Sequence, residues 1–276
     1  MNTLPPAPTF VDQSSAGVTS TRARRARRGR RAEQVWDVAA LADFRAVAYQ
    51  IFAAALLPPT ASRIGWLRSL AEELEQYHES VAELAFFGSW QQLLRTLRAL
   101  AASDTRSLEE EYVRLFVGSG SDAPCYPYEA QYVASGHDVG WVISLLETTY
   151  RQAGLRLSPT LRESPDHVAV ELEYLAFLCT QEAAGWEAKT TDVALRALGR
   201  QRAFLRLHLG KWFGAFAAQV CATTTGPLYN DVLLAVEEFI HHDQQLAELL
   251  GRQIRHLQAD NEAANGDDNV RSERPQ

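Results

Sequence analysis

Lysine is nearly missing from this chain: its 276 residues include only Lys189 and Lys211. A nucleic-acid-binding face needs clustered Lys and Arg, so this shortage, with a net charge of -7, weakens nucleic acid as the main partner. Cysteine is scarce too. Cys125, Cys179 and Cys221 are an odd number at wide spacings, which argues against a disulfide framework or CxxC metal sites and leaves reduced thiols as the simpler reading. No uninterrupted run of about 18 or more apolar residues occurs, the length a membrane-spanning helix requires. The richest stretch, VAYQIFAAALLPP, stops at Pro58-Pro59. No GxSxG, HExxH or local cysteine-histidine signature is present, which removes the commonest hydrolase and zinc-protease readings. Convincing period-two alternation is also absent, so strands are not expected.

What is present is apolar, acidic and helical in period. Hydrophobic residues make up 46% of the chain, enough for a substantial core. The charge is uneven: residues 1–31 hold seven Arg and one Asp, a net +6, which leaves -13 on residues 32–276. An acidic body attracts a cationic partner and speeds its encounter, and it also keeps a protein soluble. The arginines, Arg22 to Arg31, are followed directly by no apolar stretch and no small-residue cleavage site. They therefore fail as a secretory or twin-arginine signal, and the protein is expected to stay in the cytoplasm.

Residues 1–32 are rich in Pro, Ser, Thr and Arg without apolar periodicity, and are read as a disordered tail. Residues 258–276 lose periodicity and are read as a disordered acidic tail. Between them, Trp36, Ala40, Phe44, Val47, Ile51 and Ala55 recur at three- and four-residue steps, the stripe of a helix with one buried face. Thr60 or Ser62 can cap a second helix running to about His78, Ser89 can open a third, and Ser107 with Glu110 spells a capping box. A helix over 138–153 is stopped by Gly154; Ser164 and Pro165 suit the start of the next, with Asp166 favouring its positive end. Helices at about 188–207, 208–222 and 227–256 complete the pattern. The expectation is an all-α fold, a single globular bundle of about ten helices over 33–257, with lobes 33–154 and 165–257 and a candidate hinge at 155–164.

Two local patterns invite a chemical reading. GSGSDA at Gly118–Ala123 spells a dinucleotide turn, but that turn needs a preceding strand and a following helix; here a helix precedes and Pro124 follows. Glu75-x-x-His78 and Glu238-x-x-His241 each place both side chains on one helical face. Two such pairs plus two further glutamates make a di-iron carboxylate site. The first helix offers Asp37 and Asp43 but no inward Glu, so this stands as the alternative, enzymatic reading.

The longest break in the helical period is the stretch EEYVRLFVGSGSDAPCYPYEAQY. A loop of about 18 residues inside a helical protein is usually functional or disordered. The stretch resembles the aromatic-x-x-Leu-Phe-x-Gly helix end and Pro-aromatic-Glu loop of the TorD/DmsD/NarJ-type cytoplasmic chaperones that mature molybdoenzymes. PDHVAVELEYLAFL is similar to that family's second motif, Pro-Asp-His before an apolar helix with glutamates, and FLRLHLGKWFGAFAAQV to its His-Leu-x-x-Trp helix. Gly118-Ser119-Gly120 replaces the commoner Gly-Pro, and Tyr126 stands where a second Pro is usual. The resemblance implies a chaperone with no catalytic residues, no cofactor and no metal. It would bind the twin-arginine signal peptide and the apo form of a molybdopterin-containing catalytic subunit, and delay export until the cofactor is inserted. Molybdenum-cofactor delivery proteins become candidate partners, and a monomer or a domain-swapped dimer fits.

A receptor for such a leader needs an apolar groove bordered by acid. Tyr112, Leu115 and Phe116 share a helical face that could line it, and Pro127, Tyr128 and Tyr132 add rigid surface at low entropic cost. Glu129, with Asp122, Asp166 and Glu171, could face the arginines, and Pro165 and His167 complete the second motif. Each also has a plainer role: Leu115 and Phe116 as core, Asp166 as a helix-end charge, His167 with Glu171 as an i, i+4 surface pair.

Overall fold

The first helix decides the architecture. Val38–Ala55 (α1) is built mainly from Ala, Val, Ile and Phe, small or apolar side chains that let neighbouring helices approach from more than one side. The structure, a computed structural model, describes residues 10–12, 38–118, 125–133, 139–158 and 163–272. In it α1 is buried over most of its circumference, from Ala42 and Phe44 through Ile51 to Ala55. The expected single-faced stripe is therefore corrected: Ala40 is exposed while Ala42, Ala46 and Ala48 are buried. Among the described residues α1 alone has the length and hydropathy of a membrane span, a test that buried core helices also pass, and 67% of it is already covered by the rest of the protein.

Ten further α-helices follow, two of them single turns: Ala61–Leu74 (α2), His78–Val81 (α3), Phe87–Ala99 (α4), Thr105–Tyr112 (α5), Ala130–Val133 (α6), Val139–Gln152 (α7), Val168–Glu187 (α8), Thr191–Leu207 (α9), Leu209–Thr223 (α10) and Pro227–Ser272 (α11). The fold is all-α, as expected. The main packing runs α1 on α8, α8 on α9, and α11 across α4, α9 and α10. Phe44, Phe52, Phe86, Trp90 and Phe239 form an aromatic cluster where α1, α4 and α11 meet, with Phe86 and Phe239 centroids 4.8 Å apart.

Local signals succeed where tertiary contacts agree with them. Thr60 caps α2 by accepting from the Arg63 amide at 3.2 Å, and Gly154, at φ +85°, ends the α7 segment in a conformation that only glycine adopts freely. Elsewhere they are overruled. Ser89 lies inside α4 and donates to the Phe86 carbonyl and the Glu238 carboxylate. Ser107 lies inside α5 and donates to the Asp104 carbonyl, so the capping box with Glu110 does not form. The last helix continues to Ser272, beyond the limit read from its apolar period.

Two departures have no counterpart in the helical expectation. Leu155–Leu157 (β2) pairs antiparallel with Phe10–Asp12 (β1), a small sheet in which Phe10 opposes Leu157. Arg45, 2% exposed, lies in the core and joins four helices: it contacts Glu182 of α8 at 2.8 Å, Gln201 of α9 and Asp243 of α11. The α1–α8 packing and this network both tie residues of the 33–154 segment to the 165–257 segment.

Candidate functional site

The loop after α5 and the turn before α8 meet as a short backbone latch. Tyr128 and His167 face each other as an antiparallel bridge, flanked by hydrogen bonds from the Val168 amide to the Pro127 carbonyl at 2.8 Å and from the Glu129 amide to the Asp166 carbonyl at 2.9 Å. The two rings meet edge to face, centroids 5.2 Å apart. Asp166 then accepts from the Ala130 amide at 3.3 Å, at the start of α6. His167 Nδ1 caps α8 by accepting from the Ala169 amide at 3.1 Å, so neither Ser164 nor Pro165 starts that helix. Pro165 serves instead through its carbonyl, which accepts the Tyr150 hydroxyl at 2.8 Å.

Two motifs 39 positions apart are thereby joined, and a third lies beneath them. The Glu129 carboxylate contacts His208 Nδ1 at 3.0 Å, and Glu171 accepts from the Trp212 indole at 3.3 Å. Both partners come from the HLGKW stretch, quoted for its likeness but absent from the expected site. The missed signal was that a buried acid needs a donor, and this stretch carries two.

Electrostatics follow from burial. Glu129, Asp166, His167 and Glu171 are at most 3% exposed. Burial, then the Glu129 charge beside it, raises Glu171 well above the usual carboxylate range. Burial alone pushes His167 down to about 3, so its imidazole is neutral, and its Nε2 has no hydrogen-bond partner, lying 3.8 Å from Glu163. The expected surface pair of His167 with Glu171 is thus corrected: both are core groups. Glu129, Asp166 and Glu171 are likewise inside the protein, held by its own donors, rather than forming an acidic rim on the surface. Asp122 lies outside the described residues, as does most of GSGSDA and the whole arginine cluster Arg22–Arg31.

The apolar half of the expected groove is buried as well. Tyr112, Leu115 and Phe116 are 5%, 0% and 6% exposed, and Phe116 packs on Phe216 and Tyr229. What brings them inward is a π-turn over Val113–Val117, closed by the Gly118 amide on the Val113 carbonyl at 2.7 Å. Such one-turn bulges shift the helical register and recur at functional sites. Here the turn leaves Val113 and Val117 about half exposed. Pro127 is buried, whereas Tyr126, Tyr128 and Tyr132 stay half-buried at the surface of the latch. Tyr132 stacks on Trp212 with centroids 5.4 Å apart, and its hydroxyl reaches Gln219 at 2.9 Å. Tyr128 donates to Glu163 at 3.1 Å. Glu163, 21% exposed, is therefore a partly accessible carboxylate at the latch, and the sequence reading passed over it.

The alternative metal site does not assemble. Among the described residues no three His, Cys, Asp or Glu side chains are grouped to hold an ion. Glu75 instead pairs with Arg98 at 2.6 Å, Glu238 accepts from Ser89, and His241 contacts Gln245. The three cysteines are free thiols, each raised above its ordinary value by burial.

Comparison with known proteins identifies the family. The model of the family described as nitrate reductase delta subunit matches residues 71–218, which include both halves of the latch and the His208–Trp212 stretch. The chain is 34% identical over 156 residues to the selenate reductase assembly chaperone protein of Thauera selenatis, covering 54% of this chain and 78% of that protein. It is 33% identical to the chlorate reductase assembly chaperone protein of Ideonella dechloratans, covering 50% and 69%. It is 24% identical to the chaperone protein TorD of Vibrio cholerae, covering 65% and 87%. All three relatives are named as chaperones, the first two as assembly chaperones of reductases.

Proposed function

The chain belongs to the nitrate reductase delta subunit family, and from that premise we propose that it is a cytoplasmic chaperone for the catalytic subunit of a molybdopterin-containing oxidoreductase. It binds the twin-arginine leader and apo form of that subunit, delays export and assists cofactor insertion. The observation that supports this reading is the meeting of the two motifs at Tyr128 and His167.

The buried acids narrow the assignment of peptide contacts. Glu129, Asp166, Glu171, Pro165 and His167 form the frame that holds the loop in shape. Tyr112, Leu115, Phe116 and Pro127 support it from inside. Contact with the leader falls to the half-buried Tyr128 and Tyr132, with Glu163 as the carboxylate for an arginine and Val113 and Val117 for the apolar segment. A carboxylate-guanidinium contact is charge-assisted and worth about 1.5–3 kcal/mol, so losing it weakens binding about tenfold or more.

Calorimetric titration of a synthetic peptide, with consecutive arginines before an apolar segment, tests the reading. Wild type should bind it, Glu163→Gln should bind about tenfold more weakly, and a peptide with both arginines replaced by glutamine should bind wild type and variant equally poorly. No binding to wild type, or equal binding of both peptides, would sink the proposal.

A further inference from the structure

The small sheet is built from segments that no hairpin joins: seven α-helices separate Phe10–Asp12 from Leu155–Leu157 along the chain. A three-residue strand pair has little stability of its own in water. What anchors this one is Phe10, whose ring meets Tyr150 edge-on at 5.1 Å and lies 6.5 Å from Tyr174. Both tyrosines are 1% exposed and packed on Phe204, with centroids 6.2 and 4.8 Å away. The acceptor is therefore made by α7, β2 and α8 and braced by the core, while its occupant arrives from a distant part of the chain. Beside it opens a cleft of about 320 Å³ lined by Glu147, Tyr150, Arg151, Leu155, Arg156 and Leu157.

Strand pairing recognises main-chain N–H and C=O groups, so an open edge accepts any extended segment whose side chains fit the adjoining pockets. Here the fit required is one large apolar ring. We infer that the β2 edge with its Tyr150–Tyr174 pocket is a strand-acceptor site for an extended, aromatic-anchored segment of a partner polypeptide, occupied in cis by Phe10–Asp12 until that segment displaces it. The site also touches the latch: Tyr150, against which the anchoring ring rests, donates its hydroxyl to the Pro165 carbonyl, one residue before Asp166. The inference does not depend on the leader-binding reading, because neither Glu163 nor Tyr128 takes part.

The test uses the full chain and a fluorescein-labelled peptide with the sequence of residues 5–16, PPAPTFVDQSSA, read by anisotropy. Phe10→Ala in the chain weakens the cis strand, so that variant should bind the peptide at least 10-fold more tightly than wild type, with Phe10→Leu between them. A peptide carrying the same Phe10→Ala change should bind none of the three. Hydrogen exchange at Leu155–Leu157 should quicken in the Phe10→Ala chain and slow again when the intact peptide is added. Equal peptide affinity for wild type and Phe10→Ala, or unchanged exchange at β2, overturns the proposal. So does a concentration-dependent dimer of wild type that the peptide dissociates, because the occupant would then be a second copy.

Discussion

Replacing Arg45 with methionine removes one cation and leaves two buried carboxylates facing each other without it. The guanidinium reaches Glu182 at 2.8 Å and Asp243 at 3.0 Å, and both acids are 1% exposed. Their remaining donors are Gln201 Nε2 to Glu182 at 2.9 Å, the Trp186 indole to Glu182 at 3.2 Å and the Tyr49 hydroxyl to Asp243 at 2.6 Å, all neutral. Breaking a buried pair from one side costs about 3–5 kcal/mol, a large part of the roughly 5–15 kcal/mol that holds a typical domain folded. For a chain of this size each kcal/mol lowers the melting temperature by about 2–4 °C, so a loss of roughly 6–20 °C is expected. Urea unfolding followed by circular dichroism gives the free energy directly. A second feature separates this cause from simple loss of packing. Unpaired buried carboxylates take up protons readily, so the deficit should shrink between pH 7 and pH 5. Replacing Glu182 and Asp243 as well, with apolar residues of similar volume, should recover most of the stability. A loss below about 1 kcal/mol at pH 7 would refute the reasoning, as would a deficit that is the same at both pH values.

Glu171 has its folded-state pKa raised by burial and the nearby Glu129 charge, so its contribution is fully present below the unfolded pKa of about 4.3 and is lost as pH rises toward the folded value. Glu171→Gln should therefore gain on wild type by up to about 1.4 kcal/mol per pH unit as pH rises above about 4.3; a stability difference that does not change with pH would contradict this. His167 is lowered to about 3 by burial, so the unfolded chain protonates first, and stability falls from about pH 6.5 downward. His167→Asn, which can keep the helix cap, should flatten that acid limb in urea titrations. Glu111 accepts from the Thr225 and Gly226 amides, each at 2.9 Å, and from the Thr224 hydroxyl at 2.8 Å, anchoring the turn that leads into α11. Glu111→Ala should cost about 1–3 kcal/mol and speed hydrogen exchange at those two amides.

Sequence by itself determined the elements that depend on near neighbours. The three- and four-residue apolar steps gave helices, Thr60 and Gly154 marked a start and a stop correctly, and the two motifs identified as belonging together do meet, at Tyr128 and His167. Propensity and capping are set within a few residues, and so they can be read from the order of the chain. Only the tertiary structure decided which of those residues face water. Glu129, Asp166 and Glu171 read as an acidic rim because carboxylates are usually exposed. They lie inside because His208, Trp212 and the Ala130 amide, brought from other helices and across the latch, supply their hydrogen bonds. Arg45 with Asp243, 198 positions away, and Phe10 against Tyr150 left no local trace either. Whether a charged or aromatic group can be buried depends on partners that distant segments bring to it, and no window of neighbouring residues contains them.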